Sequence, residues 1–161
     1  MKPLLIALGA LLAAAPASGP TTAARLIGNA AFVGDSGSPW MGWVNTRQVQ
    51  LDTHAMQAFR SGDRALVTLE RRLEGTSARS ALTVVAAVEF KIPKGHELSE
   101  QGLCEWDGRA TPLVFAVVAT AKPGAEYHPR VRAAWLLDLA RDRIEPLPAA
   151  AVRCGNAAYG P

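Results

Sequence analysis

Residues 82–92 alternate between apolar side chains and other side chains with a period of two. The even positions hold leucine, valine, alanine, valine, phenylalanine and isoleucine, and Thr83, Glu89 and Lys91 occupy odd positions. This periodicity predicts a β-strand with one buried face. The preceding segment RALVTLERR also alternates, and the turn-rich EGTSARS separates the two. Residues 64–92 are therefore predicted to form an antiparallel hairpin.

A second hairpin is predicted between residues 103 and 120. Asp107-Gly108 is a favoured tight-turn pair because both residues tolerate a positive φ angle. The continuous apolar run at 113–118 indicates a strand that is covered on both sides. Residues 131–140 fit either a strand or a helix, but a helix would bury Asp138 among apolar side chains. We favour the strand, followed by a turn and a short strand at Ile144.

The segment before residue 64 contains patterns for two further strands and one helix. Strands are predicted at 26–33 and 43–51. Asp52 is a good N-cap for a short helix over residues 53–59. Together the patterns predict an α+β fold that is mainly antiparallel β. We expect a single sheet or a small sandwich with one short helix and one disulfide.

The first residues have the pattern of a secretory signal peptide. One lysine precedes an apolar run from Leu4 to Ala15, and small residues follow. We predict a signal peptide at 1–17, with cleavage as late as residue 24, then a disulfide-linked domain at 25–154 and a loose tail at 155–161. Such a chain is expected in the periplasm, or secreted to the cell surface, with membrane contact only through the cleaved signal.

The charge of the exported part argues against a nucleic-acid partner. Removing residues 1–17 removes one of 17 basic residues and none of 14 acidic ones, so the net charge is +2. Nucleic-acid binding requires a clustered basic face, and no basic run is longer than two residues. We therefore expect a protein or a cell-envelope component as the partner.

Two cysteines, Cys104 and Cys154, follow the signal segment. In an exported protein, an even pair of cysteines most simply forms a disulfide. Closing a loop of this length stabilises a fold by roughly 4 kcal/mol in the chain-entropy model. The alternatives are two free thiols or a shared metal ion, and we favour the disulfide.

Residues 34–40 read GDSGSPW, which is similar to the nucleophile segment of trypsin-like serine proteases. That chemistry needs a histidine to accept the hydroxyl proton and an aspartate to orient the histidine. In those proteases both precede the serine, whereas no histidine precedes Ser36 here. We interpret the match as a loop that resembles the motif by coincidence. A small hydrolase that uses Ser36 remains an alternative function.

The histidines do not form a complete metal or catalytic motif in the sequence. His96 and Glu100 would supply two ligands on one helical face, but a catalytic zinc normally has three protein ligands. His54 follows Asp52, and His128 follows Glu126; we expect each histidine to be exposed beside its carboxylate. We predict no metal, no cofactor and no catalytic residues.

Five residues are candidates for partner contact. Trp40 and Trp43 follow the glycine- and serine-rich loop, and either core packing or an exposed binding edge fits them. Trp106 lies beside the Asp107-Gly108 turn between two acids. Arginine favours interfaces because its planar guanidinium makes bidentate hydrogen bonds and stacks on rings. The candidates are Trp40, Trp43, Trp106, Arg130 and Arg132.

Three parts of the chain carry a family resemblance: WVNTRQVQLDTHAMQAFRSGDRALVTLERR, CEWDGR and the terminal VRC. Together they resemble the surface-adhesin protein E-like domains, over about residues 40–154. The resemblance implies an exported domain of Gram-negative bacteria, an antiparallel sheet with a helix against it, and a cysteine paired to another near the C-terminus. The named member of that family binds host matrix proteins. The Ser-Lys and Asp-Cys elements of the family are absent here, since Cys104 follows Leu103 after the long loop 93–102.

These observations lead to three hypotheses of function. The first is an exported, non-enzymatic, adhesin-like binding protein of the bacterial cell envelope. The second is a periplasmic inhibitor or immunity-type protein against an envelope hydrolase such as a lysozyme. Its loops at 34–39, 93–102 and 121–130 would be candidates for insertion into the target. The third is the hydrolase centred on Ser36.

Overall fold

The computed structural model describes residues 22–28, 43–72 and 82–159. One α-helix, eleven strands and one short 3-10 helix lie in these residues. In chain order they are α1 (Thr22–Leu26), β1 (Val44–Leu51), β2 (His54–Ser61), β3 (Arg64–Arg72), β4 (Leu82–Lys91), β5 (His96–Leu98), β6 (Cys104–Trp106), β7 (Arg109–Ala110), β8 (Val114–Ala119), β9 (Val131–Asp138), β10 (Arg143–Leu147), η1 (Ala149–Ala151) and β11 (Val152–Cys154).

The first sheet has the strand order β1-β2-β3-β4, and every neighbouring pair is antiparallel. The strands of the predicted 64–92 hairpin are confirmed as β3 and β4, with Arg64 paired to Lys91 and Arg72 paired to Leu82. The strand predicted at 43–51 is confirmed as β1. The connection at 73–81 lies outside the described residues.

A β-bulge in β4 modifies the alternation on which the hairpin prediction was based. Glu70 pairs with Val84 and Leu69 pairs with Ala86, so Val85 is the extra residue. Because one extra residue reverses the faces, Val84 packs on the side of α1 and Val88 on the opposite side. The predicted single buried face is therefore wrong, since β4 uses both faces for packing.

The helix predicted at 53–59 is wrong, because residues 54–61 form β2. Leu51 pairs with His54 across a two-residue turn, in which Asp52 has φ 51°. From Ala55 to Phe59 every residue is buried, including the polar Gln57, so the segment shows no regular alternation of apolar and exposed polar residues. The pairing of β2 with β1 on one side and with β3 on the other overrides the local helical preference.

The second sheet has the strand order β10-β9-β8-β5 and packs against the first. Residues 131–138 form β9, which confirms the strand over the helical alternative. Phe115 and Trp135 stack with ring centroids 5.2 Å apart, and Trp135 lies 4.6 Å from the ring of Phe90 in the first sheet. This aromatic cluster fills the space between the two sheets.

The third sheet is small, with the order β11-β6-β7, and it covers the other face of the second sheet. The predicted Asp107-Gly108 turn is confirmed, with φ angles of 49° and 74°, and it joins β6 to β7. The predicted hairpin is wrong beyond this turn, because β8 pairs with β5 and β9 of the second sheet and not with β6. Val114, Ala116 and Val118 of β8 pack against the two cysteines of the third sheet. The second sheet is thus buried on both faces along β8.

Helix α1 covers the outer face of the first sheet, where Ala23 and Leu26 pack with Phe59 and Leu66. The strand predicted at 26–33 is contradicted at its start, since Leu26 ends α1, and residues 29–33 lie outside the described part. The fold is α+β and mainly antiparallel β, a sandwich with one short α-helix and one disulfide. None of the helices in the described residues is long and apolar enough to span a bilayer.

Candidate binding surface beside the disulfide

The predicted disulfide joins Cys104 of β6 to Cys154 of β11. The two residues are directly paired in the third sheet, and their Cα atoms are 4.0 Å apart. Both side chains are fully buried in the core between the second and third sheets. Disulfides of this structural kind are typical of proteins that work outside the reducing cytoplasm.

The neighbours of the two cysteines lie on the outer face of the third sheet. Because side chains alternate along a strand, Glu105 and Arg153 point away from the disulfide, and they pair across the strands. Arg153 Nη2 donates a hydrogen bond of 2.8 Å to Glu105 Oε2. The guanidinium carbon of Arg153 also lies 4.2 Å from the centre of the Tyr127 ring. A carboxylate, a guanidinium and a ring therefore form a row on this face.

Electrostatic contacts along this row shift two pKa values. The hydrogen bond and the charge of Glu105 raise the pKa of Arg153. The positive charge of Arg153 lowers the pKa of Tyr127, but the charge of Glu126 and the loss of water contact together raise it overall. Tyr127 therefore stays a neutral phenol and Arg153 a cation at physiological pH.

A shallow pocket of about 310 Å³ opens beside this row. Leu103, Tyr127 and Tyr159 supply apolar surface to it, and Glu105 and Glu126 supply carboxylates. Leu103 is 40% exposed and Tyr159 is 54% exposed, and they are two of the four large hydrophobic residues that are exposed in the described chain. We call these five residues together with Arg153 the Tyr127 surface.

Residues 155–159, which we expected to be part of a loose tail, complete this surface. The backbone N–H of Asn156 donates to the carbonyl of Glu126 at 2.8 Å, and its side-chain amide donates to the carbonyl of Ala125 at 2.8 Å. The N–H of Tyr159 donates to the carbonyl of Asn156. These bonds hold the segment against the loop that carries Tyr127; residues 160–161 lie outside the described part.

Of the tryptophans proposed for partner contact, one is buried and another is half-buried. Trp43 is only 9% exposed and packs in the cluster beneath α1, with the Arg64 guanidinium 5.4 Å from its ring. Trp106 is half-buried and packs on the core around the disulfide. Trp40 lies outside the described residues. Sequence reasoning missed the tyrosines at 127 and 159, whose exposure depends on how the C-terminal segment folds back.

Arg130 and Arg132 are both exposed, and the structure brings two lysines to the same end of the second sheet. The N–H of Ala119 donates to the carbonyl of Arg130 at 2.8 Å, and the N–H of Thr120 donates to the carbonyl of Gly95 at 3.0 Å. The loops that carry Lys94, Lys122 and Arg130 are therefore neighbours. We call Lys94, Lys122, Arg130 and Arg132 the basic end.

His54 is buried, which corrects the expectation of an exposed histidine beside Asp52. Its Nε2 lies 2.8 Å from an oxygen of Asp142, and its Nδ1 lies 2.9 Å from the hydroxyl of Thr53. Arg71 binds the other oxygen of Asp142. The cluster joins β2 and β3 of the first sheet to the turn between β9 and β10, so we assign it to the packing of the two sheets.

The remaining histidines also differ from the sequence expectation. His96 begins β5 and pairs with Ala119 instead of lying in a loop. The side chain of His128 is 5% exposed and contacts the carbonyl of Ala119 at 3.0 Å, with a carboxylate oxygen of Glu97 at 3.6 Å. In the part of the chain that the structure describes, no three histidine, cysteine or acidic residues lie close enough to hold a metal ion. Ser36 lies outside that part.

One carboxyl group is buried in the first sheet. Glu70 is 1% exposed, and both of its oxygens accept hydrogen bonds of 2.9 Å from the Gln57 amide. The Thr68 hydroxyl donates a further bond of 2.8 Å. Burial raises the pKa of Glu70 above its ordinary value of 4.5, and the hydrogen bonds from Gln57 and Thr68 reduce this effect.

Comparison of this chain with protein-family models, with curated proteins and with solved structures finds no match.

Proposed function

We propose that the chain is an exported, non-enzymatic, adhesin-like binding protein of the bacterial cell envelope, located in the periplasm or at the cell surface. In this proposal the Tyr127 surface docks a protein partner. The buried disulfide supports a place outside the cytoplasm, and the apolar leader in the sequence supports export.

The composition and rigidity of the Tyr127 surface carry the proposal. Tyrosine and arginine dominate the residues that contribute most to protein–protein binding, and Tyr127, Tyr159 and Arg153 lie together here. The Glu105 carboxylate holds Arg153 in position, and the disulfide holds the two strands beneath it. A surface that is already ordered loses less conformational entropy on binding.

The size and charge of the pocket indicate what the partner inserts. About 310 Å³ is at the lower end of ligand sites, so the pocket suits a single anchoring side chain. Two carboxylates, Glu105 and Glu126, face one guanidinium, Arg153, which leaves a net charge of −1 at the surface. We therefore expect an aromatic or basic side chain from the partner.

Site-specific crosslinking tests the proposal. A photoreactive phenylalanine analogue in place of Tyr159 is expected to crosslink the protein to one envelope protein in intact cells. The same analogue in place of Val44 is the matched control, because Val44 is 65% exposed but lies on β1 of the first sheet. Tyr127→Ala in the crosslinking background should abolish the product.

Two outcomes would overturn the proposal in different ways. Equal crosslinking from positions 44 and 159, or none from either, would show that the Tyr127 surface is not the docking site. Crosslinking to an envelope hydrolase whose activity stops at equal molar amounts would replace the adhesin-like function by that of an inhibitor.

A further inference from the structure

We propose that the basic end of the second sheet binds phosphate-bearing lipid headgroups at a membrane surface. The surface is formed by Lys94, Lys122, Arg130 and Arg132, all of which are exposed. It is distinct from the Tyr127 surface. The proposal extends the proposed function by adding a second ligand, and it departs from the expectation that the chain contacts a membrane only through its signal segment. It does not depend on the identity of the protein partner.

Strand pairing brings these four residues together from three chain segments. His96 of β5 pairs with Ala119 at the end of β8, and Val118 pairs with Val131 at the start of β9. Neighbouring strands lie about 4.8 Å apart, so the segments before β5, after β8 and before β9 form one contiguous edge. Each of the four residues lies in or beside one of these segments.

Local backbone features set the direction of the loops. Lys122 opens a tight turn in which the N–H of Ala125 donates to its carbonyl at 3.1 Å, with Gly124 at φ 76°. Arg132 is the extra residue of a bulge, since Val117 pairs with Ala133 and Val118 with Val131. A bulge bends its strand and changes the direction of the nearby side chains. The cations are thus presented by ordered backbone.

The charge of the basic end is not neutralised within the protein. None of the four cations has an ion-pair partner among the described residues, whereas Arg47, Arg64, Arg71, Arg141 and Arg153 all do. The carboxylates on the same loops are Glu97, which faces His128, and Glu126, which belongs to the Tyr127 surface. Four cations against two carboxylates leave a net charge of +2 before the histidines are counted.

The chemistry of the basic end favours phosphate over an acidic protein. The exposed large hydrophobic residues of the described chain are Ile27, Val44, Leu103 and Tyr159, and none lies at the basic end. Protein interfaces depend on apolar and aromatic anchors, which this surface lacks. An anionic lipid surface instead attracts exposed lysine and arginine through charge alone, and guanidinium groups bind phosphate in a bidentate manner.

Vesicle binding tests the inference with the purified, oxidised protein. We expect binding to vesicles of phosphatidylcholine mixed with phosphatidylglycerol, no binding to phosphatidylcholine alone, and a steep loss of binding as salt is added. The variant Arg130→Ala/Arg132→Ala is expected to bind the mixed vesicles roughly tenfold or more weakly, given the attraction of each cation for an anionic leaflet.

The matched control is Arg109→Ala/Arg143→Ala. It removes the same charge from two exposed arginines that also lack ion-pair partners among the described residues but lie on β7 and β10. The control should bind vesicles nearly as the wild type does. An equal loss in both variants would overturn the inference, because the net charge of the protein would then explain the binding. Absence of binding to the mixed vesicles at low salt would also overturn it, because the basic end would then have no affinity for anionic lipid.

Soluble competitors distinguish the other sources of the same charge. Stoichiometric binding of inorganic phosphate at Arg130 and Arg132 without vesicle binding would assign the surface to a free phosphate and overturn the lipid assignment. Binding of polyglutamate in place of vesicles would assign it to an acidic protein.

Two variants test the two proposals independently of each other. Tyr127→Ala should leave vesicle binding unchanged, and Arg130→Ala/Arg132→Ala should leave crosslinking from position 159 unchanged. Failure of one proposal would therefore not be mistaken for failure of the other.

Discussion

The disulfide gives the most direct quantitative prediction. Cys104 and Cys154 are 50 positions apart in the chain, so the bond restricts a large part of the unfolded ensemble. The chain-entropy model gives about 14 cal/mol/K for a loop of this length, which is about 4 kcal/mol at room temperature. We therefore expect Cys104→Ala/Cys154→Ala to lower the free energy of unfolding by about 4 kcal/mol, a large fraction of the stability of a typical domain.

Urea unfolding followed by tryptophan fluorescence measures this difference. The midpoint is expected to fall by about 2 M urea for a slope of about 2 kcal/mol/M. The alanine variant also loses two packed sulfur atoms, which destabilises the core by itself. The reduced wild type is therefore the second measurement, because it lacks the bond but retains both sulfurs in the core. A difference below about 1 kcal/mol between oxidised and reduced wild type would refute the entropic reasoning. Alkylation of either thiol in the native, unreduced protein would refute the disulfide itself.

Two further predictions concern buried polar groups. The pKa of Glu70 is higher in the folded chain than in the unfolded chain, so the protonated carboxyl stabilises the fold at a pH below the unfolded pKa. This stabilisation is lost as the pH rises through the folded pKa. Glu70→Gln should therefore flatten the decline in the free energy of unfolding above pH 4.5. Urea unfolding from acidic to neutral pH measures this, and an unchanged pH profile would contradict the role of Glu70. For His54 and Asp142, a double-mutant cycle to alanine should give a coupling of about 1 kcal/mol or more, because their contact of 2.8 Å joins the two sheets. A coupling indistinguishable from zero would contradict that assignment.

The strands that the sequence predicted correctly are those whose signals are local. The β3–β4 hairpin, β9 and the Asp107-Gly108 turn each follow from the alternation or the φ preferences of a few neighbouring residues. The helix prediction for 53–59 rests on Asp52 as an N-cap, but the segment forms β2 and is buried on both faces, so its sequence shows no regular alternation. Its strand character comes from its pairing with β1 and β3, which are the partners that the fold supplies.

The candidate surfaces could be predicted only in part. Arg130 and Arg132 are exposed and were chosen from sequence, but the tryptophan at 43 is buried and the one at 106 is half-buried. Tyr127 and Tyr159 carried no sequence signal, because they lie in a loop and near the C-terminal end without a recognisable motif. Their proximity arises when Asn156 hydrogen-bonds to the loop at 125–126.

The sequence by itself determined the β-rich class and the Asp107-Gly108 turn, and it favoured the pairing of the only two cysteines, since each depends on residue type and near neighbours. The tertiary structure decided which face each strand buries and which loops meet. One extra residue at Val85 reverses the faces of β4, and the register of β5, β8 and β9 brings Lys94 and Arg130 to the same end of the second sheet, on either side of β8. Because strand register and sheet stacking depend on contacts between residues far apart in the chain, these arrangements follow from the complete fold and from no single segment.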